Sequence, residues 1–468
     1  MFGLDTTLTI LLIICILAVC AFEFINGFHD TANAVATVIY TNSLKPWVAV
    51  VWSAIWNSIG VFLGGIAVAV GIINLLPVET LIDQNIMHSI GMVLALLLTA
   101  IIWNLGTWYF GIPCSSSHTL IGSILGVGLA YSLLPESLGA SVNWQKAKEI
   151  GISLFVSPAL GFTFAIILMF TMKKLIANKH IFQEPDPKKK PPLWIRTILI
   201  ITCTGVSFSH GSNDGQKGVG LMMLVLIGIV PSYFALDFGK DLRKIESNIE
   251  VISTQINILD KTLVLNDVDK IELEKVKTSI ASLDNRMQSI DYSYDNIYDG
   301  AHFLIRKDIL IVTRTLKGLL ENPEIKIDKE KENLLKAEIK SMNEYTDYAP
   351  QWVIIIISIS LGLGTMIGWK RIVKTIGEKI GKQHLTYAQG ATSEVVAAST
   401  IGLSTLLGLP VSTTHVLSSG IAGSMVASKG LGNLQPKTIK NILIAWLLTL
   451  PVSMGLSGAL FLLFRAIL

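Results

Sequence analysis

Charge is scarce in this sequence. Only 15% of the 468 residues are Asp, Glu, Lys or Arg, while 51% are hydrophobic and mean hydropathy is +0.58. That composition is too apolar for an ordinary soluble protein of this length. Cysteine is scarcer still. Cys15, Cys20, Cys114 and Cys203 lie in apolar runs with no C-x-x-C pair, so neither a zinc site nor a disulfide framework is indicated. The net charge is only +3 and the lysines cluster in loops flanking apolar stretches, so nucleic acid is not an expected partner. No basic segment precedes the first apolar stretch, which runs on past the length of a leader, so cleavage there is not expected.

What is present is apolar sequence in lengths that suit a bilayer. Runs of about 20 residues, enough to cross its hydrocarbon core, recur at 7–40, 47–76, 88–110, 115–134, 146–172, 194–234, 350–369, 390–408, 411–427 and 438–466. The chain therefore reads as an all-α polytopic membrane protein in contact with lipid.

Two of these runs are interrupted in the same way. GIPCSSSHTL, from Gly111 to Leu120, returns as GLPVSTTHVL, from Gly408 to Leu417. In each, a Gly-x-Pro breaks the apolar run, hydroxyl side chains follow, then a histidine. Proline ahead of a hydroxyl cluster suits a helix start, since no N–H is needed there and Ser or Thr can cap the exposed amides. A helix N-terminus lined with hydroxyls is an anion site.

A second pair of motifs carries acid. In FEFINGFHDTANAVATVI, Glu23, Asn26, His29, Asp30 and Asn33 interrupt an apolar span. An ionised carboxylate there costs several kcal/mol unless a partner, proton or cation neutralises it. Helical spacing puts Asn26, Asp30 and Asn33 on one face, and Gly27 could open the backbone beside them. The alternative, a polar helix end at the membrane surface, fits Asp30 poorly because apolar sequence flanks it on both sides. A weaker echo, FSHGSNDGQKGVG from Phe208, aligns Asp214 with Asp30 and sets Lys217 opposite Asn33.

Spacing makes the duplication specific. His118 stands 88 residues after Asp30 and His415 stands 201 after Asp214; the excess, 201 − 88 = 113, equals the length of the polar stretch from Asp237 to Ala349. The expected layout is thus repeat one at 1–172, a basic linker at 173–193, the start of repeat two at 194–236, a soluble insertion at 237–349 and the rest of repeat two at 350–468. Within the insertion, Ile245, Ile249, Ile252, Ile256, Leu259 and Leu263 step by three and four, as do Val276, Ile280, Leu283, Met287 and Ile290. This predicts a helical hairpin, with further helices over 301–320 and 329–340. Basic residues at 173–196 and 370–382 put those loops in the cytoplasm. If each hydroxyl segment and the apolar stretch after it make one crossing, the repeats are inverted, with both termini and the insertion outside; purely re-entrant hydroxyl segments would change that parity. Inverted repeats with broken helices and re-entrant-type hairpins meeting near the midplane are a transporter plan.

Ser115, Ser116, Ser117 and Thr119 from one half, with Ser412, Thr413 and Thr414 from the other, would offer converging donors to a tetrahedral oxyanion. Hydroxyls supply them without the fixed charge of arginine, and they also accept, so a protonated oxygen can donate back. That favours phosphate over sulfate. Asp30 and Asp214, with Asn33, Asn26 and Asn213, are then the seats for a coupling cation, either a proton or a metal ion such as Mg2+ bound to the phosphate. His29, Lys217 and Gln216 stand beside them as auxiliary candidates.

GFHDTANAVAT, GIPCSSSHTLIG, FSHGSNDGQKG and GLPVSTTHVLSS resemble the duplicated signatures of the PiT inorganic phosphate transporters. IIWNLGTWYFG and GTMIGW are similar to segments of the low-affinity bacterial Pit group, which also has an insertion here. The resemblance covers both membrane halves. It implies a multi-pass protein of the bacterial inner membrane that imports inorganic phosphate by symport, driven by sodium in many members and by protons in the Pit group, as a neutral divalent-metal phosphate. It implies no permanently bound cofactor. The family's carboxylate and hydroxyl roles fall on Asp30, Asn33, Asp214, Ser115, Ser116, Ser117, Ser412, Thr413 and Thr414. His29 stands where many members have Asn, which favours protons over sodium; Lys217 stands where a second amide is expected and could pair with Asp214 or neutralise the anion, which argues against a symmetric pair of cation sites. A homodimer is a further expectation. The alternatives are a sodium-coupled phosphate or sulfate transporter of the same fold, and an uncoupled oxyanion channel, which paired carboxylates would disfavour. An enzyme is not expected: a Ser–His118–Asp30 hydrolase gives no reason to duplicate the constellation. His118 and His415 read as packing or capping residues, Trp103, Trp108 and Tyr109 as an interfacial belt, and Gly60, Gly64 and Gly65 as a helix-packing surface.

Overall fold

The computed structural model describes residues 2–76, 86–135, 142–186, 189–262, 266–289, 301–325 and 327–467, without the side chains of 31, 33, 261, 262, 268, 289, 301, 376 and 378. Among these the chain is helical, with no β-strand. It divides into two compact units, one of residues 6–225 and 349–468 and the other of 1–5 and 226–348.

The larger unit holds both copies of the repeated motifs. Its first half contains α1 (Thr6–Tyr40), α2 (Pro46–Leu63), α3 (Ala67–Ile73), α4 (Ile86–Tyr109), α5 (Ser116–Ser132) and α6 (Trp144–Leu175). Its second contains α7 (Leu193–Ile229, whose last turn passes into the smaller unit), α13 (Gln351–Thr365), α14 (Lys370–Glu378), α15 (Tyr387–Leu406), α16 (Thr413–Lys429) and α17 (Pro436–Ile467). Six of these helices, α1, α2, α4, α6, α7 and α17, are long and apolar enough to cross a membrane, and α13 is a shorter apolar helix.

The two hydroxyl segments fold alike. Gly111 and Gly408 both adopt φ +66°, a left-handed conformation that favours glycine. The helix before each ends in the same pair of bonds: Gly111 N–H to Trp108 O and Ile112 N–H to Thr107 O, then Gly408 N–H to Thr405 O and Leu409 N–H to Ser404 O. This is a Schellman ending. Proline follows two residues later, and Ser115 and Ser412 cap α5 and α16 by accepting from His118 N–H and His415 N–H, each at 3.1 Å.

The halves then exchange helices. α5 lies along α17 of the other half, and α16 lies along α6. Glycine permits the close approach: a Cβ on Gly122 or Gly126 would collide with α17 at Ser453 or Met454, and one on Gly423 with Phe162 of α6. Both exchanged helices are buried almost throughout, whereas α6 and α17 expose Phe155, Phe170, Leu447 and Leu463.

The apolar run at 47–76 is not one helix. It breaks at Gly64–Ile66, and Gln216 of α7 repairs the break: its Oε1 accepts from Val68 N–H at 2.7 Å and its Nε2 donates to Gly64 O. Gly60 and Gly64 leave no room for a Cβ against α7. Gly65 instead faces open space with φ +75°, so it serves the turn and not the packing surface.

The smaller unit is a helical bundle of α9 (Lys244–Thr262), α10 (Asp267–Ser289), α11 (Ala301–Glu321) and α12 (Lys329–Asn343), preceded by the short α8 (Pro231–Phe234). Ile245, Ile249, Ile252, Ile256 and Leu259 share one core with Val276, Ile280, Leu283 and Met287; Leu263 and Ile290 lie outside the described residues. The chain enters and leaves side by side, with Asp237 N–H donating to Tyr345 O at 2.9 Å. Buried Arg306 ties the same neck together through Ala235 O and Thr346 O at 2.9 and 2.8 Å, and burial lowers its guanidinium to about 10.

Candidate functional site

The two capped tips meet. The His118 and His415 rings lie 4.5 Å apart, and His415 stacks on Trp446 at 3.8 Å. With His118 Nδ1 also 2.8 Å from Ser115 Oγ, both histidines sit in packing and capping contacts. The hydroxyls beyond the caps turn to the carboxylates. Ser116 Oγ donates to Asp30 Oδ2 at 2.9 Å, and Thr414 Oγ1, from the other half, donates to Asp30 Oδ1. Thr413 Oγ1 donates to Asp214 Oδ2 at 3.2 Å. Ser117 Oγ donates across the halves to Val411 O at 2.7 Å. All of these residues are buried.

Lys217 lies between the tips. Its ammonium pairs with Asp214 Oδ1 and donates to Ser117 Oγ and to Val411 O, the last at 2.9 Å. Asp30 has a different neighbour: His29 Nδ1 is 3.2 Å from its Oδ1, and the other ring nitrogen is 3.3 Å from Thr107 Oγ1.

His210, which the motif reading did not single out, completes the group. One turn before Asp214 on α7, it joins Asp30 and Asp214 in a cluster whose ligand atoms all lie within 4.8 Å of one another. A chain of hydrogen bonds fixes its tautomer. Thr365 Oγ1 donates to Leu361 O at 2.9 Å, so it receives Asn57 Nδ2 at 3.0 Å; Asn57 Oδ1 then accepts from His210 Nδ1–H at 3.0 Å. In the neutral ring Nε2 carries a lone pair. That nitrogen is 3.2 Å from Asp214 Oδ2 yet makes no hydrogen bond. A lone pair facing a carboxylate is unfavourable unless a proton or metal cation lies between them. A ring N–H held by a second group is also how histidine is oriented toward a metal.

Several expected site residues do other work. Asn213 donates to Thr405 Oγ1 and Leu409 O and accepts from Val411 N–H at 3.2 Å, which fixes the second tip. Thr119 Oγ1 bonds back to Ser115 O at 3.0 Å, and Gln216 holds the α2–α3 break. Ser115 and Ser412 spend their acceptor oxygens as caps. Asn26 Nδ2 faces Glu23 Oε1 at 3.2 Å and is not in the carboxylate–histidine group. The side chain of Asn33 lies outside the described residues. Trp103 and Trp108 are half-buried: their indoles donate to Thr449 Oγ1 and Gly368 O, at 3.2 and 2.8 Å, while Arg371 stacks over Trp108 and exposed Tyr109. A further buried carboxyl, Glu394, accepts from Thr202 Oγ1.

The sequence profile of the phosphate transporter family matches residues 26–457, which takes in both tips, both carboxylates and residues 226–348 of the smaller unit. The chain belongs to the phosphate transporter family. It is 42% identical to the low-affinity inorganic phosphate transporter PitA of Escherichia coli (strain K12), over 98% of this chain and 97% of that one. It is 41% identical to the low-affinity inorganic phosphate transporter of Buchnera aphidicola subsp. Acyrthosiphon pisum (strain APS), with the same coverage, and 28% identical to a probable low-affinity inorganic phosphate transporter of Bacillus subtilis (strain 168), over 96% and 95%. Among solved structures, one titled "The sodium-dependent phosphate transporter" shares the fold, with a TM-score of 0.55 at 22% identity, over 98% of this chain and 100% of that one. This phosphate transporter family member is accordingly a multi-pass inner-membrane protein, and the relatives named above are transporters, a non-enzymatic class of function.

Proposed function

We propose that this protein imports inorganic phosphate by symport, carrying it as a neutral divalent-metal phosphate and coupling the movement to protons. The observation that carries the reading is the cluster of Asp30, His210 and Asp214: two carboxylates and an imidazole lone pair converge where the Ser116, Thr413 and Thr414 hydroxyls also point.

The same hydroxyls would have two customers. They donate to Asp30 and Asp214 here, and a phosphate between the tips would need those hydrogens. A divalent cation held by the carboxylates and His210 would draw the carboxylate charge onto itself and free the hydroxyls to turn to phosphate oxygens, one of which could also bind the cation. Cation and anion then each favour the other's binding, which is the reciprocity that coupling requires. The cation is cargo in this scheme, and Lys217 remains as a fixed charge that balances Asp214. Protons enter because a metal phosphate that is itself neutral brings no net charge, so accumulation needs a separate driving ion.

Radiolabelled phosphate uptake into proteoliposomes tests this, with an imposed proton or sodium gradient and with or without magnesium. Accumulation that requires the proton gradient and rises with magnesium is expected. Uptake that follows sodium would replace the driving ion, and uptake indifferent to both gradients would overturn symport.

A further inference from the structure

Two buried acids of the larger unit, Glu23 and Glu394, have no task in that scheme, and Glu23 is the one among the charges of Asp214, Lys217 and Asp30. Glu23 lies on α1 two turns before Asp30 and is fully buried. Its Oε1 accepts only the Asn26 amide, at 3.2 Å; its Oε2 and the Asn26 Oδ1 have no hydrogen-bond partner. Two oxygens of this pair are therefore buried without a donor. Such an arrangement is costly for an ionised carboxylate and far less so for a neutral carboxyl, whose O–H supplies the missing donor.

Its surroundings sharpen the point. Glu23 Oε2 faces α7 at Gly218, where an added Cβ would come within 2.5 Å of it and within 3.0 Å of Ile357 of α13. The charged groups that act on it are Asp214 and Lys217 from α7 and Asp30 from its own helix; the thiol of Cys20, one turn earlier on α1, also feels it. With Asp30 and Asp214 both ionised, Lys217 is the one fixed cation among these groups. An ionised Glu23 would compete for it with Asp214, and Lys217 is the cation that reinforces the direct Ser117–Val411 contact across the tips by donating to both oxygens.

We infer that Glu23 is the carboxyl that carries the driving proton: it is neutral while Lys217 bridges the two tips and ionised when that bridge is loosened. The inference rests on the symport reading above and adds the residue that reading lacks. Only a proton moves on or off the carboxyl, so no further reactant is needed. A purely structural Glu23 would fix Asn26 without tying phosphate accumulation to the proton gradient, whereas a proton carrier makes transport follow its own titration.

The test uses the full chain in proteoliposomes and measures two quantities, phosphate accumulation under an imposed proton gradient and phosphate–phosphate exchange at equal pH on both sides. Glu23→Gln should bring accumulation down to the level without a gradient, while exchange persists and loses its pH dependence. Accumulation equal to wild type, or loss of exchange along with accumulation in a folded variant, would overturn the assignment. If Glu23→Gln is not recovered folded, Gly218→Ala decides instead. Its methyl crowds Oε2 and disfavours the ionised form, so the pH profile of uptake should move to higher pH, and an unmoved profile would overturn the assignment. Wild-type protein that fails to accumulate phosphate under the proton gradient defeats the symport reading itself, an outcome these variants do not produce.

Discussion

Asp30 and Asp214 occupy matching places in two copies of one ancestral unit, yet they are neutralised differently. Asp214 keeps a lysine of its own one turn away, an ion pair sealed from solvent. Asp30 receives two hydroxyls and the edge of a histidine. Its counter-charge is not built in to the same degree. The difference teaches that one half of the pair supplies a fixed balance while the other is left for a charge that comes and goes. Two identical sites would bind two mobile cations; this asymmetric pair is suited to one, shared between them through His210.

That contrast can be broken at several points. The largest effect is expected from Asp30→Asn, which removes the carboxylate without a built-in cation: gradient-driven phosphate uptake should fall to background while the variant still folds, and wild-type accumulation would remove Asp30 from the mechanism. Next is Lys217→Met. Leaving Asp214 buried and unpaired should lower stability by about 3–5 kcal/mol, measured by denaturation in detergent. The double variant Asp214→Asn/Lys217→Met should recover most of that loss, because the charge needing balance has gone too; failure to recover would show that Lys217 does more than neutralise Asp214. Asn57→Leu then probes the shared imidazole. Without its anchor the His210 ring can turn, and the magnesium dependence of uptake should weaken roughly 10–100-fold, the range for a lost outer partner of a metal-bound histidine. The smallest effect belongs to the caps: Ser115→Ala or Ser412→Ala should cost about 1 kcal/mol each and leave half-saturation near wild type, whereas Ser116→Ala and Thr414→Ala should raise it.

Much of this was legible in the sequence, and for one reason. Duplication repeats whatever needs unusual chemistry, so Gly111 with Gly408, Ser115 with Ser412, and Asp30 with Asp214 announced themselves as pairs. The insertion was legible from its three–four apolar steps, which survive because a bundle core needs them. What escaped was set by contacts distant in the chain. Gln216 could not be told from a site residue until Gly64 and Val68, about 150 positions earlier, were found to need its amide. Asn213 stands beside Asp214 yet faces the second tip. His210 did carry a signal, its four-residue spacing to Asp214, but a histidine in a polar motif gains meaning only when Asn57 from another helix fixes which nitrogen is bare. Glu23 was visible as an acid in an apolar span; its missing partner was not.

The exchange of α5 and α16 has a genetic consequence. Since each copy completes its groove with a helix from its sibling, neither copy is a finished object, and changes at Gly423 must be answered at Phe162, some 260 positions away. A gene severed between residues 176 and 192 should therefore yield two fragments that rescue one another when made together and are degraded when made apart.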